Sequence, residues 1–408
     1  MYGLIGKKLS HSYSPLIHKE LADYEYNLFE IAPENLGNFI RDSRIKGLNI
    51  TIPYKKDIMV YCDKLTDVAK EIGSVNTVYR NEENELVGHN TDVFGFSYLL
   101  EKSQIAVAGK KVLILGSGGS SLTVNYVLKQ KKAKEIIIIS RNGKMNYKNL
   151  SLHHDSDIII NTTPVGMFPH NLEAPVDISE FSNLIGVVDL IYNPNETKLI
   201  LNAKKRGIKA IGGIIMLVAQ AFEAARVFTN SRLDENKIDR ISSIIKKQTL
   251  NLILIGMPGA GKSSIAKELS ALMHREAVDT DGLIMKKYKK TIPEIFFQVG
   301  EDGFRQYESE VVFEVGAQNS LIISTGGGCV TKAGNYDMLS QNGVIVYLKR
   351  NLPLLETTGR PLSVDVAKLF EVRKPLYEEF SDATVENNGE IQDVAKKVLE
   401  AFYEFIDN

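Results

Sequence analysis

The stretch NLILIGMPGAGKSS, Asn251 to Ser264, decides the class of fold. Its apolar run has the length and composition of a parallel strand buried on both faces, and a glycine-rich turn and a helix start follow it. A second stretch, KKVLILGSGGSS from Lys110 to Ser121, has the same order of strand, tight turn and helix start. Strand-like runs recur after it at EIIIIS (Glu135 to Ser140), DIIINTT (Asp157 to Thr163) and IGVVDLIY (Ile185 to Tyr192). Helical patterns lie between some of them, which predicts βαβ units with helices on both sheet faces. Ahead of Lys110, the runs YGLIG, KGLNITIP and SVNTVYR mark the strands of a further α/β lobe. The weakest join is the polar stretch from Thr229 to Thr249. Its Ile238, Ile241, Ile244 and Ile245 keep helical spacing, so it reads as a terminal helix leading into the second glycine turn. The two turns differ too much to be copies of one repeat.

Composition bounds the function without naming it. The chain has 408 residues with 49 Lys+Arg against 50 Asp+Glu, 44% apolar and 24% charged. At roughly 150 residues per domain, that length predicts two or three domains. A net charge of −1 offers no general field for nucleic acid or an anionic membrane, and neither is expected as a partner. The start, MYGLIGKKLS, lacks a signal peptide's apolar run, and no apolar stretch approaches the ~18–20 residues that cross a bilayer. Two cysteines, Cys62 and Cys329, are too few for a disulfide framework, and a cytoplasmic location is the expectation.

The turn Gly256-Met-Pro-Gly259-Ala260-Gly261-Lys262-Ser263 satisfies GxxxxGK[ST], with Ser264 next. Glycines let successive N–H groups converge on phosphate oxygens, the lysine neutralises the β/γ charge, and the Ser263 hydroxyl suits Mg²⁺. The alternative is a tight turn with an incidental lysine. Downstream, REAVDTDGLI places Asp279 and Asp281 two apart at what reads as a strand end, where alternate residues face opposite ways. EDGFRQYE, ISTGGGCV, TTGRPL and VRKPLYEEF follow in that order. This ordered set resembles shikimate kinase over essentially all of residues 250–408. The resemblance implies that Asp279 helps hold Mg²⁺ and that Asp281 binds the acceptor hydroxyl, with the role of base open to it. It implies that Arg305 and Arg373 grip the substrate carboxylate beside Gly326, Gly327 and Gly328, and that Arg360 is a lid arginine reaching the ATP phosphates. Only 12 residues separate Arg360 from Arg373, and just before Arg360 RNLPLLETT has Glu and Thr where the family often carries another arginine, so a compact lid is expected.

The first glycine turn, Gly116-Ser-Gly118-Gly119-Ser120-Ser121, lacks the third glycine of GxGxxG and by itself suits a plain strand–helix turn equally well. The next strand ends in Ser140-Arg141-Asn142, a cation where NAD would want a carboxylate, which suits the 2′-phosphate of NADP. SHSYSPLIH, NITIPYKK, SVNTVY, GHNTDVFG, INTTPVGM, IYNP and IMLVAQAFEAA, in that order, resemble shikimate dehydrogenase over about residues 1–245. The resemblance implies a substrate-binding lobe over 1–100, to which helices at about 214–245 return. It also implies a Rossmann-like NADP lobe over 101–213, ahead of a P-loop kinase domain with a parallel sheet over 247–408. Lys55 and Asp92 would be the catalytic pair. Ser12 and Ser14 would bind the substrate carboxylate, and Asn49, Thr51, Asn76 and Gln220 the ring hydroxyls, with Tyr192 lining the site. Asn161, Thr162, Thr163, Gly213 and Met216 would meet the cofactor with the Gly116–Ser120 turn, Ser140 and Arg141.

Simpler structural roles stand beside these. Ser14 suits the N-cap of a helix with Pro15 at N1, and Asp92 the N-cap of a helix opening at Val93. From Arg141 to Asp157 there is room for little beyond one short strand, where the family usually has a further helix. Ile215 replaces a glycine usual next to the nicotinamide. His153 and His154 read as surface residues, His11 and His89 as neighbours of motif residues, and Cys329 as a small buried residue. The two resemblances together imply a bifunctional NADPH-, ATP- and Mg²⁺-dependent enzyme acting on 3-dehydroshikimate and then shikimate. The alternative is a shikimate/quinate dehydrogenase carrying a P-loop module that only senses nucleotide.

Overall fold

The structure is a computed structural model that describes residues 1–9, 12–355 and 366–408; His11 and Arg360 lie outside the described residues. The chain divides into two compact units. The first comprises Met1–Met167, Glu173–Tyr192 and Leu199–Ile245, and the second Phe168–Leu172, Asn193–Lys198 and Lys246–Asn408.

The first unit contains two sheets. The N-terminal one joins β1 (Tyr2–Gly6), β2 (Tyr26–Glu30), β3 (Gly47–Ile50), β4 (Lys64–Leu65), β5 (Thr77–Arg80) and β6 (Leu86–His89) in the order β2-β1-β3-β5-β6-β4. It is mixed: β1 runs parallel to β2 and β3, whereas β5 is antiparallel to both β3 and β6. Ile5, Leu48, Ile50 and Val78 pack one face with Tyr54 and Ile58. The second sheet joins β7 (Lys111–Leu115), β8 (Glu135–Ile139), β9 (Ile158–Asn161), β10 (Gly186–Asp189) and β11 (Lys209–Ile211) in the order β11-β10-β9-β7-β8, all parallel. Alternation divides its side chains between two cores. Val112, Ile114, Ile158 and Ile160 enter one, and Leu113, Leu115, Ile137 and Ile159 the other. Both faces are therefore covered, as the unbroken apolar runs predict.

The helices Asp92–Ser103 and Ile214–Thr229 cross closely at Gly95. A Cβ there would lie 2.8 Å from the Met216 carbonyl oxygen and 3.0 Å from Gln220 Cβ. This crossing sets Gln220 one turn along from Asp92.

The second unit has one parallel sheet, β12 (Asn251–Ile255), β13 (Ala277–Asp279), β14 (Ile322–Ser324), β15 (Gly343–Lys349) and β16 (Ala383–Glu386), in the order β13-β14-β12-β15-β16. Leu252 and Leu254 face one core, and Ile253 and Ile255 the other.

Several local expectations change. Ser14 is the first residue of its helix, with Tyr13 at the cap, because Ser12 Oγ already accepts the Ser14 N–H at 3.2 Å. Asp92 likewise opens its helix, one residue later than an N-cap would be, with Thr91 in that place. Asp281 is not on a strand: β13 ends at Asp279, whose carboxylate caps the helix Thr280–Tyr288 by accepting the Gly282 N–H at 3.1 Å. No strand forms between Arg141 and Asp157. Asn146 and Asn149 cap one another reciprocally there and hold a 3-10 segment, Tyr147–His153. The polar join is helical only over Asn236–Thr249, since the preceding helix stops at Thr229 with Asn230 left-handed.

Phe402 is wholly buried against Leu269, Val394 and Val398. Phe402→Ala is expected to destabilise the second unit by about 3–5 kcal/mol. Chemical denaturation of the intact chain checks this through the midpoint of the second unit's transition.

Candidate active sites

Two cavities of the first unit hold most of the expected residues. The smaller, about 510 Å³, is lined by Ser12, Ser14, Asn49, Thr51, Lys55, Asn76, Asp92, Tyr192, Gly213, Met216 and Gln220, and by Ser120 from the first glycine turn. At its floor Lys55 Nζ is 2.6 Å from Asp92 Oδ2, in a pair whose side chains are 19% and 10% exposed. The sequence holds each partner firmly. The residue before Lys55, Tyr54, is wholly buried and donates its hydroxyl to the Ile31 carbonyl, and the Lys55 carbonyl accepts the Val75 N–H at 2.8 Å. Asp92 sits in the first turn of its helix, where the unpaired N–H groups favour a carboxylate. Burial pushes the Tyr192 phenol above its ordinary range, so it faces the cavity as a neutral hydroxyl. Gln220 Nε2 donates to the Leu217 carbonyl at 2.8 Å, leaving its amide oxygen for the cavity.

The larger cavity, about 940 Å³, is lined by Gly116, Gly118, Gly119, Ser120, Ser140, Arg141, Thr162 and Thr163. Thr51, Lys55 and Ser120 line both cavities, so the ion pair stands where the two meet. Gly116, at φ +108°, is the position that must be glycine: a Cβ would come within 2.6 Å of Thr162 Oγ1. That contact brings the turns after β7 and β9 together at the sheet's switch point, where ligands of such sheets bind. Gly118 leaves open space ahead of the helix Gly119–Gln130, as phosphates require, while a Cβ on Gly119 would meet Lys55 Cδ and Ser74 Oγ at 3.7 Å. The cradle and the exposed Arg141 fit a dinucleotide with an extra phosphate.

The structure does not bring every expected cofactor residue to this cavity. Asn161 is fully buried; its amide nitrogen donates to Asp189 at 3.1 Å and its oxygen accepts from Thr163, so it shapes the turn. Gly213 and Met216 line the smaller cavity. Lys8, Lys56 and Tyr147 line the walls and were not anticipated; Lys56 sits next to Lys55 in NITIPYKK, a cue the motif itself carried.

The second unit has a cavity of about 330 Å³ lined by Gly259, Gly261, Lys262, Ser263, Ser264, Asp279, Asp281, Arg305, Gly326, Gly327, Gly328 and Arg373. Gly256 and Ala260 lie behind the wall. The Gly256 carbonyl accepts from Lys262 Nζ at 2.9 Å, and a Cβ on Gly256 would sit 2.7 Å from the Leu348 oxygen. Ser263 Oγ donates to Asp279 Oδ2 at 2.7 Å. A hydroxyl beside a carboxylate fits Mg²⁺, which keeps most of its shell as water and phosphate. No group of three His, Cys, Asp or Glu residues suited to a metal occurs among the described residues.

Glu308, which sequence reading passed over, organises the acceptor end. It is fully buried, and Oε2 accepts from Arg305 Nη1 at 2.7 Å, three residues back on the same helix. A Cβ on Gly326 would meet Glu308 Oε1 at 2.6 Å and Asp281 Oδ1 at 2.7 Å, so the glycine admits both carboxylates. Burial pushes the Glu308 carboxyl above its ordinary range, and the Asp281 charge adds to that against the pull of Arg305. The spacing Arg-x-x-Glu in EDGFRQYE carried the signal. Arg373 Nη1 donates to the Gly327 carbonyl at 3.1 Å.

Among the remaining titratable groups, His153 is buried, contrary to the surface reading, because its carbonyl closes a turn onto the N–H and hydroxyl of Ser156. His154 faces Glu180 at 3.1 Å. His89 lines neither of the two cavities described above; its Nδ1 lies 3.0 Å from Thr66 Oγ1.

A dinucleotide-type reductase site and a P-loop phosphotransferase site therefore stand on one chain. The family model "Shikimate dehydrogenase substrate binding domain" matches residues 4–78, and the model "Shikimate kinase" matches residues 258–403. A shikimate dehydrogenase (NADP(+)) of Clostridium beijerinckii is 40% identical over 267 residues, covering 60% of this chain and 98% of that protein. A chorismate mutase/shikimate 5-dehydrogenase fusion protein from Clostridium acetobutylicum is 36% identical with a TM-score of 0.58, over 60% of this chain and 97% of that one. Shikimate 5-dehydrogenase from Thermus thermophilus, solved with NADP(H) and shikimate, is 26% identical with a TM-score of 0.55, over 59% and 97%. The chain belongs to the shikimate dehydrogenase family and carries a shikimate kinase domain after it, which makes it a shikimate-pathway enzyme. No helix among the described residues is long and apolar enough to cross a membrane.

Burial raises the Cys62 thiol to about 11, and raises the fully buried Cys329 further. At pH 8 both are protonated, so a thiol reagent is expected to modify neither within minutes in the native chain, and both after unfolding. Titration with a chromogenic disulfide, with and without denaturant, checks this.

Proposed function

We propose that this chain reduces 3-dehydroshikimate to shikimate with NADPH and then phosphorylates the 3-hydroxyl of shikimate with ATP and Mg²⁺. The observation that carries the reductase half is the Lys55–Asp92 pair, 2.6 Å apart at the junction of the two cavities. Carbonyl reduction needs a hydride on carbon and a proton on oxygen. Bound NADPH supplies the hydride. The Lys55 ammonium stabilises the charge developing on oxygen and gives up its proton there, and Asp92 holds the ammonium in line. Ser12 and Ser14 receive the substrate carboxylate, and Asn49, Thr51, Asn76 and Gln220 the ring hydroxyls, with Tyr192 against them. Gly213 and Met216, on the wall of the same cavity, flank the nicotinamide end, and Asn161 acts by shaping the Thr162–Thr163 turn. Arg141 is the partner for the 2′-phosphate, which favours NADPH over NADH.

In the second unit, the turn from Gly256 to Ser264 cradles the ATP phosphates and Lys262 faces the β/γ charge. Ser263 and Asp279 would hold Mg²⁺, which offsets the phosphate charge when bound. Arg305 and Arg373 grip the carboxylate beside Gly326 to Gly328, and Asp281 takes the proton from the attacking hydroxyl. Arg360 remains the proposed lid cation. The first lobe of this reading is 1–100 with the helices at 214–245, the cofactor lobe is 101–213 and the kinase domain is 247–408. Both substrates are soluble small molecules, and the cytoplasm is the location that suits them.

Lys55→Ala is expected to lower reductase kcat by about 10²-fold or more, the low end for acid–base catalysis. Near-normal turnover at saturating substrate would refute the assignment. A coupled assay with the intact chain, 3-dehydroshikimate, NADPH and ATP should yield shikimate 3-phosphate. Lys262→Ala should abolish its ADP release and leave NADPH oxidation unchanged. Absence of shikimate-stimulated ADP release in the unaltered chain would instead favour a module that only senses nucleotide.

A further inference from the structure

We propose that the Thr77 hydroxyl is a positioning group for the reductase cavity, deciding which end of the Asn49 and Asn76 amides meets the substrate. The inference rests on the reductase reading above. Thr77 is wholly buried on β5 and is not among the residues lining that cavity, whereas Asn49 and Asn76 both are. Its hydroxyl accepts from Asn49 Nδ2 at 3.1 Å, donates to Asn76 Oδ1 at 3.1 Å, and lies 3.0 Å from Thr91 Oγ1.

The polarity of this circuit is set at one point. The Thr91 main-chain N–H can only donate, and it lies 2.7 Å from one end of the Asn76 amide, so that end is the oxygen. The Asn76 nitrogen then donates to Thr91 Oγ1 at 3.1 Å. Thr77 has a single proton, and giving it to Asn76 obliges Thr77 to accept from Asn49. The Asn49 amide therefore turns its nitrogen to Thr77 and its oxygen to the Tyr26 hydroxyl, which donates at 2.8 Å. Each amide keeps one N–H for the cavity wall. The wall then offers donors to the oxygens of a polyhydroxylated acid. With either amide reversed, an oxygen would face those same lone pairs. The fixed donor is at Thr91, next to Asp92, so orientation spreads outward from the catalytic end through Thr77 to Asn49.

The test is steady-state shikimate oxidation by the intact chain with NADP⁺, comparing wild type with Thr77→Val, Thr77→Ser and Tyr26→Phe. Thr77→Val keeps the shape and deletes the hub, and is expected to raise the shikimate KM about tenfold or more while the NADP⁺ KM stays within about twofold. Thr77→Ser should recover the wild-type value. Tyr26→Phe removes the outer donor and leaves the ring stacked on His18, 3.8 Å between centroids. It should raise the shikimate KM about threefold. An unchanged shikimate KM in Thr77→Val, an equal rise for NADP⁺, or failure of Ser to recover would overturn the proposal. Should Thr77→Val not fold, an unchanged KM in Tyr26→Phe overturns it alone. A wild-type chain that does not oxidise shikimate would remove the reductase reading and this inference together, a result distinct from variants that match an active wild type.

Discussion

Strands that are apolar on both faces leave a parallel sheet few places to meet a polar ligand. In β7 and β12, successive residues enter opposite cores, so neither face of the strand is available to water. Free main-chain N–H groups are left at the carboxyl ends, where the chain turns into a helix. The recognition chemistry in both units is arranged around that constraint. The glycine turns lie tight against neighbouring backbone or side chains: Gly116 against Thr162 in one unit, Gly256 against the Leu348 carbonyl of β15 in the other. Close approach and an unobstructed helix start come from the same residues.

Charge is handled locally. The net charge of −1 conveys nothing about two sites built for anions. The site cations have partners of their own: Lys55 with Asp92, Lys262 with the Gly256 and Met257 carbonyls, Arg305 with Glu308, Arg373 with the Gly327 carbonyl. A buried charge without a partner costs several kcal/mol, so such pairing is what lets the side chains wait in place before a ligand arrives. In the acceptor pocket two carboxylates, Asp281 and Glu308, both approach Gly326, and Arg305 pairs with Glu308.

Much of this was legible in the sequence, for physical reasons. Phosphate turns need glycines at fixed spacing after an apolar run, and such spacing is printed in the residues themselves. Lys55, Asp92, Ser12, Asn76 and Gln220 could be picked out by motif and come together in one cavity. What was not legible depends on tertiary contact. The Arg305–Glu308 spacing marks a helical ion pair, but nothing local announces that Gly326 packs against it. Asn161 reads as a cofactor contact until Asp189, from a neighbouring strand, claims its amide. His153 reads as surface because nothing local announces the Ser156 turn that buries it. The one-residue errors at Ser14 and Asp92 share a form: each opens its helix one position past the cap, and the residues in the cap place, Tyr13 and Thr91, make no side-chain cap bond that motif reading could find.

Lys55 belongs to the walls of both the substrate-side and the cofactor-side cavity of the reductase reading. Two ligands that share one cation cannot bind as strangers. Whatever an occupant of the larger cavity does to the affinity of the smaller, the smaller must return in equal measure, because the free energy of the doubly occupied state is independent of the order of filling. An ammonium held by Asp92 and exposed to both spaces makes that exchange direct. The two cavities are separate as volumes and a single site as thermodynamics.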